Sequence, residues 1–223
     1  MTKLQFLGHA CFLLQKDDVA LIFDPYLTDN PFKIAKPEDI KCKYVLLSHG
    51  HFDHLGDSID IARRNNATVI STAEIANLCA EKGCQVHAMH LGGKHQFEFG
   101  TVRITLAFHG AGVPGGHACG FVVDFYDTKV YFAGDTGLFG DMELIGRLEK
   151  IDYALLPIGD NFTMGPADAA EAAGMIKPKV VIPMHYNTWP LIEQDPHAYK
   201  ADVEKRFNIP VHILNPGETL TIA

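Results

Sequence analysis

Apolar residues fall in short blocks along the chain, and most blocks end abruptly at glycine, aspartate or histidine. Leu4–Leu7 and Cys11–Leu14 are two such blocks, joined at Gly8-His9-Ala10. Val19–Phe23 is a third and stops at Asp24-Pro25. Blocks this short, rich in β-branched and aromatic side chains, predict strands, here a β-meander. Tyr26 to Asp39 has no apolar period and carries Pro31 and Pro37, which predicts a long loop. Tyr26 and Phe32 on that loop either touch a substrate or pin the loop to the body. Tyr44–Ser48 reads as a buried strand, and Leu55, Ile59 and Ala62 follow at helical spacing up to Asn65-Asn66.

Strand and helix then alternate. Thr68–Ile70 predicts a strand, and Ser71-x-x-Glu74 is a capping-box pattern opening a helix to about Lys82, with Gly83 as its stop. Strands are expected at Val86–Met89, Gln96–Phe99 and Val102–Phe108, and a hairpin at Ala118–Asp124 and Lys129–Ala133 around Tyr126-Asp127-Thr128. Asp141 is a candidate N-cap for a helix carrying Leu144, Ile145 and Leu148. Tyr153–Ile158 and Val180–Met184 read as buried strands around a helix from Pro166 to Ile176. A last helix at Ala198–Phe207 precedes strands at Val211–Leu214 and Thr219–Ile222. Both halves start β-rich and become α/β. The expectation is one domain over residues 1–223, with two packed sheets and helices outside.

Composition narrows the function classes. An apolar fraction of 47% and a charged fraction of 21% suit a soluble globular domain with a substantial core. A net charge of -8 disfavours nucleic acid and anionic membranes as partners. Five cysteines, without a Cys-x-x-Cys pair, fit a reduced cytoplasmic protein rather than a disulfide framework. No signal peptide or bilayer-length apolar run is visible, so the cytoplasm is the expected location. Self-association is left open.

The chemistry concentrates in Ser48-His49-Gly50-His51-Phe52-Asp53-His54, where four potential metal ligands lie within six residues after a buried strand. On extended backbone His49 and His51 share one face and can hold one divalent cation. Asp53 and His54 begin the turn into a helix, point elsewhere, and can hold a second. Imidazole with carboxylate suits zinc first, with manganese, nickel or iron compatible. His109, Asp135 and His185 each follow an apolar strand directly, as His49 does. His109 would complete a three-histidine site with His49 and His51. His185 would join Asp53 and His54, and Asp135 would bridge the two ions. Gly-x-x-Gly-Gly at 112–116 lacks the Lys-Ser/Thr and helix of a P-loop, and no serine sits in a Gly-x-Ser-x-Gly elbow.

This ligand order, His-x-His-x-Asp-His followed by His109, Asp135 and His185, resembles the metallo-β-lactamase superfamily over essentially the whole chain. Leu7-Gly8-His9-Ala10, Ala133-Gly134-Asp135-Thr136-Gly137, the stretch Pro157 to Gly165, and Pro183-Met184-His185-Tyr186-Asn187-Thr188 resemble its branch of metal-dependent hydrolases related to L-ascorbate-6-phosphate lactonase. The resemblance implies a four-layer αββα sandwich with a dinuclear centre at the edge between the sheets. It also implies that Asp24 supports the metal histidines, that His9 acts as a proton donor, and that Asn161 hydrogen-bonds substrate.

The expected reaction is attack of a metal-activated hydroxide on an ester-like bond, with Asp53 orienting the nucleophile and taking a proton. A lactone or phosphorylated small molecule comes first as substrate, with an anionic one allowed for, and a phosphodiester or nucleic-acid linkage second. A redox or non-catalytic metal-binding role is the remaining alternative. The expected substrate rim is Tyr26–Pro37, Ala111–Gly116, Phe139, Phe162 and Trp189, with Lys33 and Lys36 as candidate anion contacts.

Overall fold

Strand residues alternate between two destinations because both faces of each sheet are covered. In the computed structural model, Leu21 and Phe23 face one apolar cluster while Ile22 between them faces another; Leu46 and Val45, and Ile70 and Val69, divide the same way. The structure describes residues 1–222; Ala223, the last residue of the expected domain, lies outside the described residues.

The first sheet holds β1 (Thr2–Gly8), β2 (Cys11–Lys16), β3 (Val19–Phe23), β4 (Tyr44–Leu46), β5 (Thr68–Thr72), β6 (Gln85–Met89) and β13 (Thr219–Ile222). Its order is β13-β1-β2-β3-β4-β5-β6. The second holds β7 (Lys94–Phe97), β8 (Gly100–Leu106), β9 (Cys119–Phe125), β10 (Thr128–Phe132), β11 (Tyr153–Pro157) and β12 (Val180–Met184), in the order β12-β11-β10-β9-β8-β7. Antiparallel pairing up to β3 gives way to parallel pairing from β3 to β6, and the same change occurs at β10 in the second sheet. The doubling expected from the sequence is thus a doubling of topology.

The sheets stack face to face through aromatic side chains, Phe23 lying 4.9 Å from Phe132 between ring centroids. Outside the first sheet, α2 (Ser58–Asn65) and α3 (Ala73–Glu81) contribute Ile61, Ala62, Ile75 and Cys79 to the second cluster. On the other sheet, α4 (Met142–Glu149), α5 (Pro166–Ile176) and α6 (Pro196–Phe207) bury Met142, Ala169, Ala173 and Val203. The layers are helix, sheet, sheet, helix. A single turn, α1 (Phe52–Leu55), carries half of the ligand motif.

Three expectations need correction. Val211–Leu214 is not a strand: only Val211 bridges to Val181, and its own N–H donates to Glu204 Oε1 at 3.1 Å instead of to a neighbouring strand. Ser71 does not cap α3, since its hydroxyl donates to Leu47 O at 2.6 Å and Thr72 occupies the cap position. Asp141 stands at the N-cap of α4 without a side-chain capping bond, whereas Asp195 caps α6 by accepting from His197 N and Ala198 N.

Candidate metal centre

Strand ends from both sheets meet at one edge. β4 delivers His49 and His51, and α1 turns Asp53 and His54 back toward them. The segments after β8, β10 and β12 deliver His109, Asp135 and His185. All seven side chains expected from the sequence come together, and all but His51 and His109 are buried.

The donors sort into two groups. His51 Nδ1 lies 3.0 Å from His49 Nε2 and 3.2 Å from His109 Nε2. In the second group, Asp135 Oδ2 lies 3.2 Å from His54 Nε2 and 3.1 Å from His185 Nε2, and Asp53 Oδ2 lies 3.6 Å and 3.7 Å from the same two nitrogens. Asp135 also reaches toward the first group, 3.5 Å from His109 Nε2 and 3.9 Å from His49 Nε2. Ligands bound at about 2.0–2.1 Å to one tetrahedral cation stand roughly 3.3 Å apart, so this spacing suits donors sharing an ion.

Hydrogen bonding tests the fit independently. Among the described residues, His54 Nε2, His185 Nε2 and Asp135 Oδ1 are buried without an aligned hydrogen-bond partner. Burying such atoms unpaired is costly, and a cation between them satisfies all three. The opposite side of the His49 and His54 rings is held. Ser48 Oγ donates to Asp24 Oδ2 at 2.5 Å and accepts from His49 Nδ1 at 2.9 Å. His54 Nδ1 donates to Asp24 Oδ2 at 2.7 Å. Both contacts fix the tautomer that leaves Nε2 with a free lone pair. Asp24 therefore supports two of the candidate ligand histidines, His54 directly and His49 through Ser48. The residues present fit divalent cations.

Electrostatics point the same way. Burial lowers the His49 pKa, as does the neighbouring His54, and burial lowers that of His109. Burial opposes charge on His185 too, but the Asp135 and Asp53 carboxylates outweigh it and raise its pKa to about 9. For His54, Asp135 and Asp24 likewise overcome burial and raise the pKa. Asp53 and Asp135 stay ionised despite burial, because His185, with His9 at Asp53 and His54 at Asp135, holds their pKa values down.

His9 is fully buried between Thr188 Oγ1 at 2.8 Å and Asp53 Oδ2 at 3.0 Å, and burial drives its pKa down to about 3. It braces Asp53 and also lies within reach of the second donor group. Asn161 is exposed, with its backbone N–H on Asp160 Oδ1, and lies outside the cavity lining.

The centre floors a cavity of about 330 Å³ lined by His51, Phe52, Asp53, His109, Asp135, Phe162, His185, Trp189 and Leu191. Phe162 and Trp189 belong to the expected rim. Tyr26 and Phe32 do not line it: Tyr26 is buried and packs on His9 and Phe52, and Phe32 fills the space beside Gly8. Phe139 is buried against Phe108, and neither Lys33 nor Lys36 lines the cavity. The glycine-rich loop has a different task. Gly50 N–H donates to Ala111 O at 2.7 Å, and a Cβ on Gly112, whose φ is +68°, would stand 2.5 Å from His51 N. That loop buttresses the ligand motif from behind. Phe52 and Leu191 were not anticipated; the only signal was a large apolar residue in a loop or turn where packing demands none.

The chain as a whole is similar to known proteins. Residues 3–185 match the family described as the β-lactamase superfamily domain, a span that ends on His185. A UPF0173 metal-dependent hydrolase of Pelotomaculum thermopropionicum is 53% identical over 228 residues, covering 99% of this chain and 100% of that one. One from Natranaerobius thermophilus is 51% identical, covering 98% of each. The solved structure of Igni18, a metallo hydrolase from the archaeon Ignicoccus hospitalis, superposes with a TM-score of 0.94 at 36% identity, covering 100% of this chain and 98% of that chain.

Proposed function

The chain belongs to the metallo-β-lactamase superfamily, and from that premise we propose that it is a metal-dependent hydrolase cleaving an ester-like bond at a two-cation centre. The observation that carries this reading is the convergence of unpaired buried donors on His54, His185 and Asp135 at the floor of an open cavity. The names of the relatives support it.

His49, His51 and His109 would hold one cation; Asp53, His54 and His185 would hold the other, with Asp135 between them. Zinc is the first candidate for this nitrogen-rich set. Such ions supply Lewis acidity and bring the pKa of water toward neutrality. The protein's own groups do the rest. Asp53 lines the cavity and is the carboxylate placed to accept a proton from attacking water. His9 keeps Asp53 oriented, its ring clamped by Thr188 and packed under Trp189 at 4.9 Å. Trp189, Phe162 and Leu191 exclude water from the bound substrate.

Metal analysis of purified protein, paired with a panel of lactones, carboxylic esters and phosphodiesters, tests the reading. One to two transition ions per chain and chelator-sensitive turnover of an ester-like substrate are expected. A protein that holds no metal, or one whose turnover survives complete metal removal, would overturn it.

A further inference from the structure

The cavity above the candidate centre is unusual in its walls. None of its nine lining residues is Lys or Arg. Its only carboxylates are Asp53 and Asp135, both assigned to cations, and its histidines are assigned as ligands with them. Meanwhile Phe52 is 69% exposed, Phe162 47% and Leu191 65%, three of the larger apolar side chains that this surface leaves in water. They ring one opening together with the half-buried Trp189.

The wall is braced rather than loose. The Phe52 and Trp189 rings lie 6.3 Å apart at 31°, and Phe52 also meets the buried Tyr26 edge-on at 5.9 Å. Leu191 sits in the short 3-10 turn Pro190–Ile192, closed by Ile192 N donating to Trp189 O at 3.1 Å. A preformed apolar rim loses little conformational freedom when a ligand covers it.

Resting on the hydrolase reading above, we propose that the site takes an uncharged acyl ester or lactone whose hydrocarbon part packs against Phe52, Phe162, Trp189 and Leu191. The reacting carbonyl belongs at the centre, and whatever is attached to it must lie on this rim. A phosphate or carboxylate tail would be desolvated there without a cationic partner. The net charge of -8 further disfavours approach of an anion. This reverses the expectation of a phosphorylated substrate and finds no role for Lys33 or Lys36. In the reaction, water oxygen bonds to the acyl carbon, the acyl carbon–oxygen bond breaks, and the leaving oxygen departs with a proton as the alcohol.

Trp189 is the single tryptophan of the chain, so its emission reports the rim directly and without turnover. The test titrates the protein with 1-alkanols from butanol to octanol, and separately with glycerol 3-phosphate. Alkanols are expected to shift the emission saturably, with affinity rising roughly fourfold per methylene. Leu191→Ser and Phe162→Ser, both at exposed positions, are expected to weaken octanol binding roughly fivefold each. Saturation by glycerol 3-phosphate with no response to octanol would overturn the proposal. So would emission that changes with protein concentration but not with alkanol, which would assign the rim to a second copy of the chain. Nitrophenyl acetate, butyrate and hexanoate separate the two readings. If alkanols bind and no ester is cleaved, the hydrolase reading fails and the apolar site stands. If esters are cleaved at rates independent of chain length, the hydrolase reading stands and this proposal falls.

Discussion

His9 Nε2 meets Asp53 Oδ2 at 3.0 Å, joining the turn after β1 to the carboxylate of the ligand motif. With Asp53 ionised, the ring nitrogen is the donor, and Nδ1 accepts from Thr188 Oγ1. Carboxylates near a cation bind poorly when free to rotate. His9→Ala is expected to weaken retention of one of two cations roughly 10–100-fold. Chelator competition on the variant, read as ions per chain, checks this.

Asp135 and His51 each serve donor groups that cannot be completed without them. Asp135→Ala and His51→Ala are expected to exceed the loss from His9→Ala and to abolish turnover. Retention of both ions and activity in either variant would contradict the assignment.

His185 carries a pKa near 9 when no cation lies between it and the carboxylates. Below that pH the stripped protein holds a proton there that a cation must displace. Cation binding at pH 7 is therefore expected to release at least one proton from this site, and affinity should climb with pH up to about 9. Because the folded pKa is raised above about 6.5, the stability this proton gives the stripped protein is full below pH ~6.5 and fades as pH rises through about 9. Calorimetry in buffers of different ionisation enthalpy measures the release; an identical heat in every buffer would count against it.

Asp24 is fully buried and accepts from Ser48 N at 2.8 Å, Ser48 Oγ and His54 Nδ1. Asp24→Ala strands those donors and is expected to cost about 3 kcal/mol, or roughly 10 °C in Tm. Thermal denaturation of the metal-free variant against metal-free parent isolates this effect from cation loss.

Gly112 combines a positive φ with backbone contact behind His51. Gly112→Ala is expected to cost about 1–3 kcal/mol and to displace His51, lowering activity more than an alanine at solvent-exposed Gly115 does. Gly115 shares a positive φ of +70° but has open space around it, so the pair separates strain from displacement. Equal losses in both would remove the buttress from the account.

The clustered residues were legible because the strands end on apolar runs. β4, β10 and β12 close on Val-Leu, Val-Tyr-Phe and Pro-Met, and the polar side chains just beyond lie at the shared edge. The topology followed from the same blocks. The rim was not legible, because loops carry no period. Phe52 carried no expectation of its own, and Phe139, expected on the rim, is taken inward by packing against Phe108. Caps failed where a competing acceptor was close: Ser71 chose Leu47 O over its own helix. Val211–Leu214 failed as a strand because the Val211 N–H goes to the Glu204 carboxylate and the run makes only one bridge.

The backbone bond from His185 N to His9 O, 2.8 Å long, has a consequence for how the molecule is made. Residues 9, 49–54, 109, 135 and 185 are synthesised over most of the chain's translation, yet each donor group needs a side chain from the second sheet. Neither donor group is complete until its late strand has docked, and the His54 group waits for β12 to arrive beside the first turn. Completion of the donor cluster is thereby made a report of finished folding: a ribosome-bound fragment ending before β12 holds six of the seven candidate ligands but lacks His185, and the His54 group stays open until β12 docks.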